Sequence, residues 1–476
     1  MTFRHATILL AAALGACSHV PAAPERHVYH GMTLIDPATH TVRPNGWLAV
    51  EGTRIAAVGE GRPPAGRGTV LHDRTGLFAM PGLIDSHAHV TLGPTELAVV
   101  DGAPRLSTRP RPDIARHNAR HLLSFGVTTI RNPAGDLAAN RDYSALVAAG
   151  TLAGPEAFHA GEVIDRPQFP FDGLVTQPGE GRSVGDIVRA QAAGGADFVK
   201  FYTDLTEADL REGVAAARAA GRPTIAHLSD VSWTTAARLG IGSLVHMMPI
   251  SPDLLPADRR AAYVAARRGG AFAFFEWWEA ADLDSPEIAE MIDALVRNRV
   301  NVDATLMAFL PAFWGDQTEV RDRDLALVHP DMAANWRSFR FDLGWQPDDY
   351  RRARAVWPKM LELTRRMHEA GVPMTIGTDL ANPFVAPGIS MAREMALHRE
   401  AGIPAWAVLR MATSEGARLL GIAGRVGRLH AGQEADILFL GADPLQDMMA
   451  VADVRGVIVN GAALDPLELR AGEAGR

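Results

Sequence analysis

Two histidines lie at the end of a short apolar segment near the start of the chain, in residues 83–89 (LIDSHAH). Side chains alternate between faces along a β-strand, so a strand here would point His87 and His89 the same way. Two imidazoles side by side at the end of a buried strand can bind one metal ion. An isolated pair could equally be two polar residues at a strand end, so the rest of the chain has to decide.

Four more apolar segments each carry one chemically active residue at or near the end of a predicted strand. These residues are Lys200, His227, His246 and Asp379. In a barrel of alternating strands and helices, the C-terminal strand ends meet at the active site, so these residues would converge with the histidine pair. Each alone has an ordinary explanation, such as a hydrogen-bonded core histidine or an ion-paired lysine. Six such residues at five strand ends favour a single metal site.

The middle of the chain alternates short apolar strands with helical stretches, which is typical of a parallel β/α arrangement. Strand candidates follow one another at 83–87, 127–131, 156–161, 198–202, 223–228, 243–247, 300–306 and 373–378. This pattern predicts an α/β fold, a (β/α)8 TIM barrel with insertions. A ninth apolar segment, residues 271–275 (AFAFF), is predicted as a strand in an insertion between the sixth and seventh strands.

Both ends of the chain alternate apolar and polar residues in the manner of half-buried strands, with Gly and Pro between them. We therefore predict a small β-sandwich built from residues 27–80 and 425–476, around a metal-dependent hydrolase barrel at 81–424. The chain has 476 residues and 47% apolar content, which suffices for a large barrel and an accessory domain.

The first residues are typical of an export signal. Residues 1–16 combine a charged start, a short apolar core and small residues, and they end directly before Cys17. The ending resembles a bacterial lipoprotein signal, which implies acylation of Cys17 and a tether at residues 17–26; a plain signal peptide is the alternative. Cys17 is the only cysteine, so no intramolecular disulfide or thiolate metal ligand can form. We expect an exported protein, lipid-anchored to the membrane and facing the periplasm or the cell surface.

Charge and hydropathy exclude two classes of partner. The net charge is -8 and no long basic run occurs, which argues against nucleic acid. No apolar run reaches the ~20 residues of a membrane-spanning helix, so membrane contact is expected through the lipid anchor only.

Several segments together resemble the amidohydrolase superfamily, and most closely its imidazolonepropionase-like and metal-dependent prolidase and dipeptidase members. The resemblance covers nearly the whole mature chain. It rests on residues 81–89 (PGLIDSHAH), 126–131 (GVTTIR), 377–379 (GTD), the helical run 407–420, and 432–437 (GQEADI). It implies a two-metal centre that hydrolyses an amide or peptide bond in a small molecule.

The resemblance also implies how the metals are held. His87, His89 and Asp379 would bind the more buried divalent ion, and His227 and His246 would bind the second. Zinc is the favoured metal, although this ligand set also suits manganese, iron or cobalt.

Two of the six residues would have further chemical roles. Lys200 would react with carbon dioxide to form a carbamate that bridges both ions, whereas a protonated lysine would be repelled by them. Asp379 would take a proton from a metal-bridging hydroxide and pass it to the leaving amine.

The sequence departs from the family pattern at two positions. Val245 precedes His246 where many relatives have Glu; it should point away from His246, so we expect altered packing and not a lost metal. Deaminases of the superfamily use His-x-x-Glu with one metal, and here Asp230 follows His227 at that spacing. A mononuclear deaminase is less favoured because Lys200 would then have no role.

The expected substrate is a small amide such as a dipeptide or an N-acyl amino acid. A cyclic amide or lactone is the alternative, and the complete ligand set disfavours a non-catalytic binding protein. His159, at the end of the third strand, and Tyr202, on the same face as Lys200, are candidate substrate contacts. Loop aromatics could bind an apolar substrate group, pack a lid or form a contact in a homo-oligomer: Phe169, Phe171, Trp277, Trp278, Phe313 and Trp314.

Overall fold

The computed structural model describes residues 25–472, which form a mixed α/β structure. The signal peptide expected at 1–16, the lipidation site Cys17 and most of the tether lie outside the described residues. Within residues 25–472, no helix combines the length and the apolar character needed to cross a membrane.

The strands follow in chain order. They are β1 (Arg26–Asp36), β2 (Thr41–Glu51), β3 (Arg54–Glu60), β4 (Thr69–Asp73), β5 (Phe78–Pro81), β6 (Leu83–Asp85), β7 (Thr95–Val100), β8 (Ala103–Thr108), β9 (Val127–Asn132), β10 (Glu156–His159), β11 (Val163–Ile164), β12 (Phe171–Asp172), β13 (Val175–Thr176), β14 (Val199–Phe201), β15 (Thr224–Ala226), β16 (Ser243–Val245), β17 (Asn301–Asp303), β18 (Met374–Thr375), β19 (Ile437–Leu440), β20 (Val454–Val459) and β21 (Ala462–Leu464).

The helices lie mostly between the central strands. They are α1 (Pro112–Ser124), α2 (Leu137–Ala148), α3 (Val184–Ala193), α4 (Glu207–Ala219), α5 (Trp233–Leu239), α6 (Ala257–Ala266), α7 (Ala273–Ala280), α8 (Pro286–Arg297), α9 (Leu310–Phe313), α10 (Thr318–Arg321), α11 (Pro330–Ser338), α12 (Pro347–Glu369), α13 (Ile389–Glu400), α14 (Ala405–Arg410), α15 (Gly416–Leu419) and α16 (Pro466–Ala471). Short 3-10 helices occur at Pro37–Thr39, Pro252–Leu254, Gly270–Phe272, Leu306–Ala308, Leu325–Leu327 and Met448–Ala452, and a π-helical turn at Met411–Glu415.

Each of the eight predicted central strands is present, as β6, β9, β10, β14, β15, β16, β17 and β18. The strands β6, β9 and β10 pair in parallel in one sheet, and β14 to β18 pair in parallel in another. Backbone hydrogen bonds join the two sheets on both sides. The Asp197 amide donates to the His159 carbonyl at 2.8 Å, and the Ser86 amide donates to the Ile376 carbonyl at 2.8 Å. Strands buried on both faces have short apolar sequences, which explains why the sequence predicted them.

The prediction of a strand at residues 271–275 is wrong. This segment forms the 3-10 helix Gly270–Phe272 and the start of α7, in the connection between β16 and β17. A short apolar run does not by itself distinguish a strand from a buried helix. Beyond Glu276, α7 also carries Trp277 and Trp278, which are completely buried in the core.

The two ends of the chain share one sheet. Its strand order is β21-β20-β19-β5-β1-β2-β3, with β4 also paired to β1. In β19, Ile437 and Phe439 pack in a small core with the terminal strands, whereas Leu438 and Leu440 belong to the main core. Because β5 continues through Gly82 into β6, this sheet is directly attached to the strand that precedes the histidine pair. The two-layer sandwich and its exact boundaries stay predictions.

Candidate metal centre

A cavity of about 840 Å³ lies where the parallel strands end. All six residues predicted to form the site line this cavity: His87, His89, Lys200, His227, His246 and Asp379. They come from segments up to about 290 residues apart in the chain, so the fold alone brings them together.

Asp379 lies between three of the histidines. Its Oδ1 atom is 3.2 Å from His87 Nε2 and 3.3 Å from His89 Nε2, and its Oδ2 atom is 3.4 Å from His246 Nδ1. One possible ligand atom from each of His87, His246 and Asp379 lies within 4.8 Å of the other two. This spacing would allow the three residues to coordinate a single ion.

A second group of cavity residues adjoins Asp379 and its three histidines; it contains His227, Tyr202 and Lys200. The rings of His227 and His246 have centroids 4.5 Å apart, and the Tyr202 ring lies 4.8 Å from that of His227. Lys200 is 2% exposed, and burial lowers its pKa to about 7, against the opposing effect of Asp379. A substantial fraction of the Lys200 amine is therefore neutral near pH 7.

The imidazoles have the free nitrogens that a metal ion requires. Among the described residues, both ring nitrogens of His87 and of His227, and Nδ1 of His89, are buried without a hydrogen-bond partner. An unpartnered buried polar atom costs about 1–3 kcal/mol, so several of them together are typical of a site that binds a ligand. Burial also lowers the pKa of His227 to about 3 and that of His87 well below its ordinary value. Neutral imidazole is the form that binds metals.

The backbone turns sharply at two of these residues. His246 and Asp379, which follow β16 and β18, have left-handed φ angles of 63° and 64°. Non-glycine residues rarely adopt this conformation, and when they do they cluster at functional sites. Gly377 lies against the carboxylate of Asp303, where a Cβ atom would collide with it. The Gly-Thr-Asp sequence therefore fits the close approach of β18 to β17.

Asp85 connects the two segments that carry the histidine pair and Asp379. Its Oδ1 accepts hydrogen bonds from the backbone amides of His87 and Thr378, both at 3.0 Å. Its Oδ2 accepts a hydrogen bond from the Thr378 hydroxyl at 2.7 Å. The Asp379 amide in turn donates to the His87 carbonyl at 2.7 Å. This network fixes the positions of His87 and Asp379 relative to each other.

Sequence reasoning missed Asp303, the last residue of β17. It is fully buried, and its Oδ2 lies 3.4 Å from His87 Nδ1 and 3.7 Å from Arg131 Nη2. Burial raises the pKa of Asp303 to about 8, although Arg131 opposes the shift. The signal was available, because Asp303 is a polar residue at the end of an apolar strand, as His246 and Asp379 are.

Thr305 is a second residue that the sequence did not reveal. Its hydroxyl is 2.7 Å from His246 Nδ1. If the Thr305 hydroxyl accepts a hydrogen bond from the Nδ1–H group, the lone pair of Nε2 is left free for a metal ion.

Two predicted substrate contacts have different positions. Tyr202 lines the cavity, whereas His159 is not among the lining residues. The ring nitrogens of His159 are instead within hydrogen-bond distance of Asn132, at 3.1 Å, and Ser144, at 2.8 Å. The His159 ring thus points toward these neighbouring polar side chains and not into the cavity, so its role as a direct substrate contact stays a prediction.

The two departures from the family pattern have structural explanations. Val245 is buried against Phe198 and Ile225, away from the metal centre, as its position in the strand predicts. Asp230 lies at the cavity rim, where its side chain is 67% exposed and its Oδ1 is 3.0 Å from Arg267 Nη1.

The predicted aromatic walls are only partly correct. Phe169 and Phe171 line the cavity. Trp277, Trp278 and Phe313 are fully buried in the core and do not line it, and neither does Trp314. These four residues belong to helical segments or their ends, where the same aromatic composition serves packing between helices.

Comparisons with known proteins agree with this geometry. Residues 323–464 match the Amidohydrolase family. An imidazolonepropionase from Alkaliphilus metalliredigens (strain QYMF) is 32% identical over 118 residues, which span 19% of this chain and 28% of that protein.

Solved structures resemble nearly the whole chain. A Xaa-Pro dipeptidase with bound methionine in the active site has a TM-score of 0.66 at 20% identity, covering 92% of this chain and all of that one. A putative prolidase from Bifidobacterium longum has a TM-score of 0.65 at 21% identity, covering 93% of this chain and 95% of that one. A bottromycin amidohydrolase has a TM-score of 0.68 at 24% identity, covering 95% of this chain and 91% of that one. The solved structures thus share the fold of this chain, while the two sequence matches each cover only part of it.

Proposed function

We propose that the protein is a metal-dependent amidohydrolase that cleaves an amide or peptide bond of a small substrate, in a closed (β/α)8 barrel with two divalent ions. The observation that carries this proposal is the convergence of six residues from five strand ends on one cavity, with Asp379 between three imidazoles. The hydrogen bonds that join the two parallel sheets on both sides support the closed barrel.

Each residue has a defined task in this proposal. His87, His89 and Asp379 would hold one ion, and His227 and His246 would hold the other. Bound divalent ions would supply a hydroxide near neutral pH and polarise the scissile carbonyl. Asp379, which lies within 3.4 Å of the imidazoles on both sides, accepts a proton and delivers it to the leaving amine.

Lys200 is proposed to bridge the two ions as a carbamate. Its burial favours the neutral amine, which is the form that reacts with carbon dioxide. The resulting anion would be stabilised by two cations, whereas an ammonium in the same place would be repelled. Zinc is the favoured metal on the basis of the imidazole and carboxylate ligands.

The proposed substrate is a dipeptide or an N-acyl amino acid. A cyclic amide is the second candidate, favoured by the sequence match to an imidazolonepropionase. A mononuclear deaminase fits less well, because Asp230 is exposed and engaged with Arg267. Attachment to a membrane through Cys17 is proposed on the sequence pattern alone.

Metal analysis of two lysine variants tests the centre. We expect about two divalent ions per chain after loading with zinc and bicarbonate. Lys200→Ala should lose metal and amide hydrolysis together. Lys359→Ala is a matched control, because its ammonium donates to the carbonyls of Trp278 and Ala281 at 2.9 and 3.0 Å, away from the centre. This variant should keep both ions.

Two other results would contradict the proposal. One tightly held ion that is unaffected by Lys200→Ala would favour the mononuclear deaminase. Full metal occupancy without turnover of any amide, ester or lactone would favour a binding protein.

A further inference from the structure

Three phenylalanines from separate segments form one wall of the cavity. Phe274 lies in α7, Phe309 follows the 3-10 helix after β17, and Phe341 follows α11. The Phe274 ring packs edge-to-face on Phe309 and on Phe341, with centroids 5.5 Å apart and planes at 79° in both pairs. We call these three residues the aromatic wall.

The aromatic wall differs from the buried aromatic residues beside it. Phe275, Trp277 and Trp278 follow Phe274 in α7 and are completely buried in the core. Phe274 and Phe341 are only partly buried and pack against the core from the cavity side. Part of their ring surface therefore faces the cavity that the six candidate metal ligands also line, where a substrate could cover it.

The arginines that line the same cavity already have acidic partners. Arg268 Nε donates to Glu276 at 2.6 Å and its Nη2 donates to Asp349 at 2.8 Å, while its guanidinium lies 3.7 Å from the Phe272 ring centroid. Arg267 pairs with Asp230. Both arginines that line this cavity thus have acidic partners, whereas Phe274 and Phe341 keep part of their surface open to it.

We infer that the substrate carries an aromatic side group that packs against the aromatic wall while its amide lies at the metal centre. This inference rests on the proposed function and narrows it to amides with a phenyl-like group. An aromatic ring can make further edge-to-face or offset contacts with these rings, and such contacts stabilise aromatic pairs beyond the area that they bury. Met248 and Met332 also line the cavity, and thioethers pack favourably against aromatic rings.

Binding of three hydroxamates to the zinc-loaded protein tests the inference without any turnover. The ligands are acetohydroxamate, hexanohydroxamate and 3-phenylpropionohydroxamate, which share one chelating group and differ in the group attached to it. By calorimetry, the phenyl compound should bind at least about tenfold more tightly than the acetyl compound, and also more tightly than the hexanoyl compound. Equal binding of all three, or tighter binding of the hexanoyl compound, would overturn the inference.

A pair of variants locates the effect. Phe274→Ala should reduce the preference for phenyl over acetyl to about threefold or less, because it removes the central ring of the aromatic wall. Phe272→Leu is the control, since Phe272 is a neighbouring aromatic residue that does not line the cavity. It should keep the preference. Loss of the preference in both variants, or in neither, would mean that the aromatic wall does not bind the phenyl group.

Turnover separates this inference from the proposed function. With dipeptides that differ only by Phe against Ala, the aromatic substrate should have a kcat/KM about tenfold higher or more, in at least one of the two positions. A phenyl preference in hydroxamate binding without hydrolysis of any amide would support the aromatic wall and contradict the amidohydrolase. Hydrolysis of these dipeptides with no preference for Phe over Ala would support the amidohydrolase and contradict the aromatic wall.

Discussion

Three buried aspartates at the proposed metal centre have different surroundings and different tasks. Asp85 accepts hydrogen bonds from two backbone amides and a hydroxyl, so it holds the backbone in place. Asp379 faces three imidazoles across the cavity. Asp303 lies behind His87, between its Nδ1 atom and Arg131. An acceptor behind a metal-binding histidine orients its ring, and the Asp303 carboxyl lies 3.4 Å from His87 Nδ1, so we assign Asp303 a positioning role toward a bound metal ion.

Asp303→Asn should therefore weaken metal binding while leaving every proposed ligand in place. Loss of such an orienting group typically costs about 10–100-fold in metal affinity. Competition with a chromophoric zinc chelator would measure the change. Asp165→Asn is the matched control, because Asp165 is also buried and lines the cavity but bonds to Thr203 and to the Asp204 amide. An equal loss of affinity in both variants would show that Asp303 has no specific effect on His87.

For individual residues, the sequence predicted candidates that lie at the ends of strands. It could not predict side-chain positions that are set by neighbours distant in the chain. His87, Lys200 and Asp379 were identifiable because each lies at or next to the end of an apolar strand. His159 has the same sequence signal but a different environment, because Asn132 and Ser144 bind its ring. No local pattern distinguishes these two cases, since the partners come from other segments.

The connection after β17 shows how whole elements support the centre. Thr305 has a left-handed φ of 42° and begins the 3-10 helix Leu306–Ala308. The carboxylate of Glu394, in α13, accepts hydrogen bonds from the amides of Leu306 and Met307 at 2.9 and 2.6 Å. Glu394 thus ties α13 to the turn that places the Thr305 hydroxyl beside His246.

Removal of this tie should destabilise the protein and loosen the turn. Glu394→Ala leaves two buried amides without an acceptor, which costs about 1–3 kcal/mol for each. Glu394→Gln keeps one acceptor oxygen, so it should cost less. Urea denaturation of the two variants beside the wild type would measure the difference. If Glu394→Ala unfolds at the wild-type urea concentration, the turn does not depend on α13.

Strands and helices were predicted well where a short buried apolar segment fits only one type of element. The eight central strands are short and mostly apolar, and all of them are present in the structure. Residues 271–275 have the same apolar character but form a 3-10 helix and the start of α7, whose next turn buries Trp277 and Trp278. The hairpin of β7 and β8 went unpredicted, since its alternating sequence includes exposed apolar residues such as Leu97 and Val99.

At the scale of the whole molecule, the terminal sheet and the central strands are packed as one unit. Leu438 in β19 is fully buried in the main core, and its side chain lies against Gly126, the residue before β9. A side chain at position 126 would collide with Leu438, and the φ of 79° also favours glycine there. The same strand β19 pairs with β5, which leads into β6 and the histidine pair. We therefore expect the sheet and the metal centre to unfold together.

Leu438→Ala tests this coupling. It creates a cavity between the sheet and the central strands and should cost about 2–5 kcal/mol. Leu467→Ala is the matched control, because Leu467 is 69% exposed and its truncation should change stability little. Thermal unfolding, followed by far-UV circular dichroism and by the release of zinc to a chromophoric chelator, should show both signals moving to the same lower temperature in Leu438→Ala. Zinc release at the wild-type temperature, after an earlier loss of β-structure, would mean that the sheet is an independent unit and that its contact with Gly126 does not support the centre.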